Sequence, residues 1–270
     1  MHANEPSRFR PAHFLAEHAH PEADVPLDLV ILNQPIHNFH VFARVWKHAE
    51  YRICADGGAN RLYDMFEGPL EDRRQDYLPH SIHGDLDSLR DDVRAYYESH
   101  GVDVSQDHDQ ESTDFGKTMQ KIASRRSSTS EREVVVLGTL GGRVDQGLGL
   151  LHEIFREELK DPLLRLWLIS EASVSFILEQ GLNIVEGLKS SGLFTKNMGL
   201  VPIYGPAVIT TSGLEWDVKD WDTQMGTRVS SSNHVISDEV QVNTTAPILF
   251  TIERNSITSS SGPGNRRKGT

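Results

Sequence analysis

The chain has 270 residues, enough for one large domain or two smaller ones at about 150 residues each. Hydrophobic residues make up 37% and charged residues 24%, an ordinary globular balance, and the formal net charge of −12 argues against nucleic acid or an anionic membrane as partner, since both need a basic face. The single cysteine, Cys54, excludes an intramolecular disulfide and a multi-cysteine zinc site; no stretch approaches the roughly 18 apolar residues of a membrane span, and the N-terminus lacks the apolar core of a secretory leader, so the expected location is cytoplasmic.

Residues 1–25 are polar, with three prolines and four histidines, and read as a poorly ordered extension, in part docked on the domain. The cluster His13, His18 and His20 has no scaffold that would make it a metal site. From Leu27 the pattern changes. LDLVILN (27–33) is a nearly continuous apolar run, as in a strand buried on both faces. FHVFARVWKHA (39–49) places Phe39, Phe42, Val45 and Trp46 at helical spacing. YRICADGGANRLYDMF (51–66) repeats strand, Gly-Gly turn and helix, and SIHGDLDSL (81–89) ends a further strand in a polar turn. DDVRAYYESHG (91–101) reads as a helix stopped by Gly101. REVVVLGTLGGRVDQGLGLLHEIFREEL (132–159) is strand, glycine-rich turn and helix again, and LLRLWLIS (163–170) is another strand.

Strands alternating with helices predict a parallel α/β sheet, a Rossmann-like domain over 26–168. Beyond it the helical period vanishes. SVSFILEQG, LNIVEG, GLVPIYGPA, AVITTSG, RVSSSNHVI, VQVNTT and PILFTIE are short strand-like segments punctuated by glycine. They predict an all-β sandwich or barrel over 169–254. Residues 255–270 are Ser/Gly-rich and basic and read as a disordered tail.

The acidic excess is concentrated. The 32 residues from His83 to Asp114 hold ten carboxylates against Arg90 and Arg94, a local net of −8. Such a segment is either a solvated face or the holder of something positive. Four patterns bear on the choice, because an open parallel sheet binds ligands beyond the carboxyl ends of its strands. Asp56-Gly57-Gly58-Ala59-Asn60 allows close backbone approach and offers free N–H groups to an anion; it is equally a tight strand-to-helix turn. Gly84-Asp85-Leu86-Asp87-Ser88 sets two carboxylates where one hard cation can take both; it is equally a helix cap. Gly138 to Gln146, with Gly141, Gly142, Arg143 and Asp145, suits a phosphate pressed on backbone with Arg143 pairing its oxygens; it is equally a glycine turn with surface charges, and it matches neither the P-loop nor the dinucleotide fingerprint. Asp109 to Lys117 leads into a helix that Ser112 or Thr113 can cap; Asp114 also suits a third metal ligand, with Lys117 reaching a phosphate.

Together these signals place carboxylates, glycine turns and two cations where an open sheet binds a magnesium nucleotide. In order and spacing, Asp56–Arg61, Gly84–Ser88, Gln110–Lys117 and Gly141–Gln146 resemble the thiamine pyrophosphokinase family. So do Thr211-Ser212-Gly213-Leu214-Glu215-Trp216 and Val229-Ser230-Ser231-Ser232-Asn233 in the all-β part. The resemblance spans about residues 27–254. It implies transfer of the terminal pyrophosphate of ATP to the hydroxyl of thiamine, leaving AMP. It also implies Mg2+ held by Asp85, Asp87 and Asp114, and catalytic roles for these three with Lys117 and Arg143. Asp56, Gly57, Gly58, Asn60, Gln110, Thr113, Gly141, Arg143, Asp145 and Gln146 are the implied nucleotide-site residues. Trp216, Ser232 and Asn233 are those implied for thiamine. The family further implies a homodimer with sites between subunits, so that Trp216 serves the other chain's site.

Gly116, where a Thr is more usual, Val144, where a Phe is, and Met119, near the place of a frequent Cys, depart from the family pattern without removing a charge. Thiamine is a cation with flat rings, so an acidic cleft attracts it and an indole can stack on it. Taken apart from the resemblance, Trp216 reads as a β-core aromatic and Ser232-Asn233 as a hairpin turn. Two competitors share the acidic motif: a metal-dependent phosphohydrolase, and a non-catalytic thiamine or thiamine diphosphate sensor. Retention of Asp85, Asp87, Asp114, Lys117 and Arg143 speaks against the sensor.

Overall fold

A computed structural model describes residues 5–18, 25–125 and 130–256. Fifteen strands and five α-helices lie within them. The α/β part runs β2 (Leu27–Ile31), α1 (Phe39–His48), β3 (Tyr51–Ala55), α2 (Gly58–Asp64), β4 (Ser81–Gly84), α3 (Asp91–Ser99), β5 (Asp103–Gln106), α4 (Asp114–Ser124), β6 (Arg132–Leu137), α5 (Val144–Lys160) and β7 (Leu164–Ile169), after a short β1 (Ser7–Phe9). The remaining strands are β8 (Ser173–Leu178), β9 (Gly181–Val185), β10 (Phe194–Val201), β11 (Ala207–Ser212), β12 (Trp221–Thr223), β13 (Ser230–His234), β14 (Val240–Thr244) and β15 (Ile248–Arg254).

Six strands in the order β7-β6-β2-β3-β4-β5 are parallel. Their apolar runs follow from burial on both faces. Leu29, Ile31, Cys54, Val135 and Leu137 join one core with Phe42, Val45, Leu62, Val93 and Tyr97 of α1–α3. Val30, Ile53, Ala55, Val134 and Val136 join the other, with Phe115, Met119 and Ile122 of α4 and Ile154 of α5. Side chains alternate across a strand, so neighbouring apolar residues feed opposite cores. The first core continues into the β-rich part through Phe176, Phe250, Ile209 and Val242.

The boundary expected at 168/169 falls inside β7; strand direction reverses at 170–172, and the hydrogen-bonded sheet continues without a break. Antiparallel β8 pairs with β7, and β15, β10 and β13 follow, giving one ten-stranded sheet. A five-stranded sheet, β1-β9-β14-β11-β12, supplies the second layer of the sandwich.

Over its described residues the N-terminal segment is docked on the domain rather than poorly ordered. Ser7–Phe9 pairs in parallel with Asn183–Val185. Phe9, Phe14 and Leu15 are fully buried; Phe9 stacks on Phe176, and Phe14 packs on Trp167. His13 pairs with Glu133 at 2.7 Å. Three well-spaced apolar side chains anchor a segment whose composition is otherwise polar. His20 and residues 257–270 lie outside the described residues. Among the described residues, no helix is long and apolar enough to cross a membrane.

Candidate active site

Three carboxylates meet at the carboxyl edge of the parallel strands. Asp56 follows β3, Asp85 follows β4 and Asp114 opens α4; one oxygen from each lies within 4.8 Å of the others. Backbone geometry aims them. Asp56 (φ +42°) and Leu86 (φ +62°) occupy the left-handed region, which costs a non-glycine residue energy and clusters at functional sites. Asp114 Oδ1 accepts the Asp85 N–H at 3.2 Å, Asp56 Oδ2 the Ser88 N–H at 3.2 Å, and Asp85 Oδ1 the Asp87 N–H at 3.3 Å. Gly84 makes the convergence possible: a Cβ there would lie 2.7 Å from Asp114 Oδ1 and 2.9 Å from Asp56 Cβ.

Burial, and then the charge of Asp114, raises the Asp56 carboxyl above its ordinary range. Burial likewise raises Asp114, with the neighbouring Asp85 and Asp87 charges adding to it. The Lys117 ammonium, 1% exposed, lies 3.7 Å from Asp85 and 3.9 Å from Asp114 and makes no hydrogen bond. Asp56 Oδ1 is also buried without a hydrogen-bond partner. A hard oxygen-seeking divalent ion fits this donor set of three carboxylates, one with an orphaned oxygen, and the Lys117 ammonium offsets part of their charge from the side.

The structure separates residues that the sequence patterns grouped. Asp87, two residues after Asp85, lies outside the triad; its carboxylate accepts the Ser88 hydroxyl at 3.0 Å, and Asp56 takes the third place in the cluster. Asn60 is buried, and both ends of its amide serve the loop after β4: Nδ2 donates to the Ser88 carbonyl at 2.7 Å, and Oδ1 accepts the Arg90 N–H at 3.1 Å. It clamps the loop that carries Asp85. Gly58 is required by the chain itself, and Gly57 leaves room for the Asn33 side chain. A Cβ at Gly58 would lie 2.1 Å from the Ile31 carbonyl oxygen, and one at Gly57 2.4 Å from Asn33 Nδ2.

The strand order reverses direction between β2 and β6, the usual place for a ligand crevice in an open sheet. A cavity of about 320 Å³ lies there, lined by Gln34, Asn38, Thr139, Gly141, Gly142 and Arg254 among others. A Cβ at Gly142 (φ +70°) would lie 2.8 Å from Gln34 Nε2, and Leu140 (φ +54°) is also left-handed. Arg143, Asp145 and Gln146 are exposed at the start of α5, and Arg143 pairs bidentately with Asp145. Gln110 is exposed in the loop before α4, whose cap is Thr113: its hydroxyl oxygen accepts the Gly116 N–H at 3.1 Å.

A second cavity, about 310 Å³, opens in the sandwich. Trp216, Ser232 and Asn233 line it together with Ile209, Val218 and Trp221. Trp216 is 53% exposed and therefore no core aromatic. Asn233 is buried and holds the Trp216 backbone at both ends, accepting its N–H at 3.2 Å and donating to its carbonyl at 3.0 Å. Asp217 fastens the same loop by accepting from Thr211 Oγ1, Gly213 N and Leu214 N. The indole also leans on the His234 ring, which pairs with Glu215.

Sequence patterns did not single out Asp217, Gln34, Ile209, Val218 or Trp221. Their signals were an aspartate after a Gly-Leu turn, a polar residue after the first strand, and strand residues that read as core.

Fold and site define a two-domain protein: an open α/β sheet with an acidic triad at its carboxyl edge, joined to a β-sandwich with an aromatic pocket. The family model for the thiamin pyrophosphokinase catalytic domain matches residues 42–165, and that for its vitamin B1 binding domain matches residues 183–249. The chain belongs to the thiamin pyrophosphokinase family. It is 36% identical to thiamine pyrophosphokinase 1 of Arabidopsis thaliana, covering 83% of this chain and 85% of that one. It is 30% identical to the Saccharomyces cerevisiae thiamine pyrophosphokinase, covering 88% and 89%. The solved Candida albicans thiamin pyrophosphokinase superimposes with a TM-score of 0.83 at 26% identity, covering 93% of each chain.

Proposed function

We propose that this chain transfers the pyrophosphoryl group of magnesium ATP to the hydroxyl of thiamine, giving thiamine diphosphate and AMP. The observation that carries the reading is the Asp56–Asp85–Asp114 triad with the enclosed Lys117, in a chain that matches both domain models of the family. Asp56, Asp85 and Asp114 hold Mg2+ in this reading, with Asp87 at its margin. The ion supplies neutralisation of phosphate charge.

Lys117 stands beside two of the carboxylates, where its fixed ammonium meets phosphate oxygens without reorganisation. Arg143 and Asp145 are exposed and bonded chiefly to each other, so Arg143 must exchange Asp145 for phosphate when nucleotide arrives. The glycines of 138–142 let the nucleotide lie against backbone at the switch point. In the sandwich, Trp216 offers an indole face to the thiamine cation, and Ser232 offers a hydroxyl at the pocket wall. Asn233 acts on thiamine through Trp216, whose backbone it holds. The reading includes a homodimer in which the Trp216 pocket of one subunit completes the magnesium site of the other. It also includes a cytoplasmic location, to which the free, buried Cys54 thiol is suited.

Asp85→Asn tests the metal assignment. It should abolish turnover with the circular dichroism spectrum unchanged; a fully active variant would remove Asp85 from the metal site.

A further inference from the structure

Helices α4 and α5 meet at a buried charge outside the family motifs. Glu153 on α5 is 7% exposed, and its Oε2 accepts the Thr113 hydroxyl at 3.2 Å and a guanidinium N–H of Arg156. A hydroxyl has one hydrogen. With that hydrogen directed to Glu153, the lone pairs of Thr113 Oγ1 are left for the Gly116 N–H, which it accepts at 3.1 Å. Glu153 therefore fixes the rotor of the residue that caps α4. The first turn of that helix carries Asp114, whose Oδ1 accepts the Asp85 N–H, and Lys117 one turn on. Gly116 leaves room for the pair: a Cβ there would lie 3.3 Å from both the Arg156 guanidinium nitrogen and Glu153 Oε2. A glycine inside a helix costs about 1 kcal/mol relative to alanine, and here its gap is occupied by an ion pair.

We infer that Glu153 is a positioning residue for the magnesium-nucleotide site. Through Thr113 it sets the first turn of α4, and with it the placement of Asp114 and Lys117. Arg156 compensates its buried charge. The inference rests on the roles proposed above for Asp114 and Lys117.

The first readout is hydrogen exchange on the full chain without ligand. Glu153→Ala should speed exchange of the Gly116 and Lys117 amides about five- to tenfold, the scale of a weakened cap, and leave α1 unchanged. Glu153→Gln, which keeps an acceptor oxygen for Thr113, should recover most of that loss. In a Thr113→Val background, Glu153→Ala should add nothing, because the link is already gone. Kinetically, Glu153→Ala should lower kcat about tenfold and raise the magnesium concentration for half-maximal rate, with the KM for thiamine within about twofold of the parent.

Unchanged exchange at the first turn of α4, additive effects in the double variant, or an equal rise in α1 exchange would each overturn the inference. Asp114→Asn separates the two readings. If it stays fully active, the metal assignment fails, whatever the exchange data say of Glu153.

Discussion

Gly84→Ala probes the closest approach in the triad. The new methyl would stand 2.7 Å from Asp114 Oδ1 and 2.9 Å from Asp56 Cβ, where ordinary contact begins at 3.4 Å. The Asp114 carboxylate must then retreat by roughly 0.7 Å, and it cannot swing freely because the Asp85 N–H holds the same oxygen. Overpacking of this kind costs about 1–3 kcal/mol, or roughly 2–10 °C in Tm for a chain of this size. Displacing a catalytic group by the better part of an ångström costs up to about 10²-fold in rate. We predict a 10- to 100-fold lower kcat at saturating thiamine, partly recovered at high magnesium, measured by AMP formation alongside thermal melting. Gly149→Ala is the control. It lies on α5 with nothing within 4 Å of the added Cβ, so it should keep its activity and gain up to about 1 kcal/mol of stability. Full activity and an unchanged Tm in Gly84→Ala would refute the claim that this glycine holds the carboxylates together.

Three further outcomes follow. Glu158 accepts the Leu166 N–H at 2.8 Å, and burial raises its carboxyl to about 8. The folded chain therefore keeps a proton that the unfolded chain releases near pH 4.5, so stability falls as pH rises between the two values. Glu158→Gln should raise Tm by at least ~3 °C at pH 9 and change it little at pH 4, so equal effects at both would contradict the burial argument. Lys117→Met should lower kcat about 10²- to 10³-fold while the KM for thiamine holds, and a KM effect alone would move Lys117 out of the phosphate site. Trp216→Ala should raise the KM for thiamine about tenfold with Tm nearly unchanged, because the indole is half exposed; an unchanged KM would reject its stacking role.

The α/β architecture was legible because doubly buried strands write themselves as apolar runs. Leu27–Ile31 and Arg132–Leu137 are such strands, and the glycine turns after Tyr51–Ala55 and Arg132–Leu137 fall at the ligand edge. The sandwich was legible as a class, but its pairing was not. No local pattern says that β15 sits between β8 and β10, or that β1 pairs with β9 about 175 residues away, as the register Ser7 to Asn183 shows. At the site, Asp85 and Asp114 stood out in motifs. Asp56 belongs by motif to the nucleotide side, and its place in the triad depends on a left-handed backbone that spacing does not reveal. Asn60 and Asn233 looked like ligand contacts, yet each spends its amide on backbone that presents a neighbour. Glu153 sits mid-helix with no motif, and only the packing of α4 on α5 gives it a task.

The acidic concentration between His83 and Asp114 now divides by residue. Asp85 and Asp114 converge with Asp56; Asp103 instead pairs with Lys121, which together with the Ser81 hydroxyl lowers its carboxyl, and the exposed Asp109 is lowered by Ser112.

The central claim is tested most directly by product stoichiometry. The purified chain is incubated with ATP, Mg2+ and thiamine, and AMP, thiamine diphosphate and inorganic phosphate are followed together. We predict AMP and thiamine diphosphate in equal amounts, with no turnover when thiamine or magnesium is withheld. Phosphate release without thiamine, or thiamine binding without AMP, would contradict it.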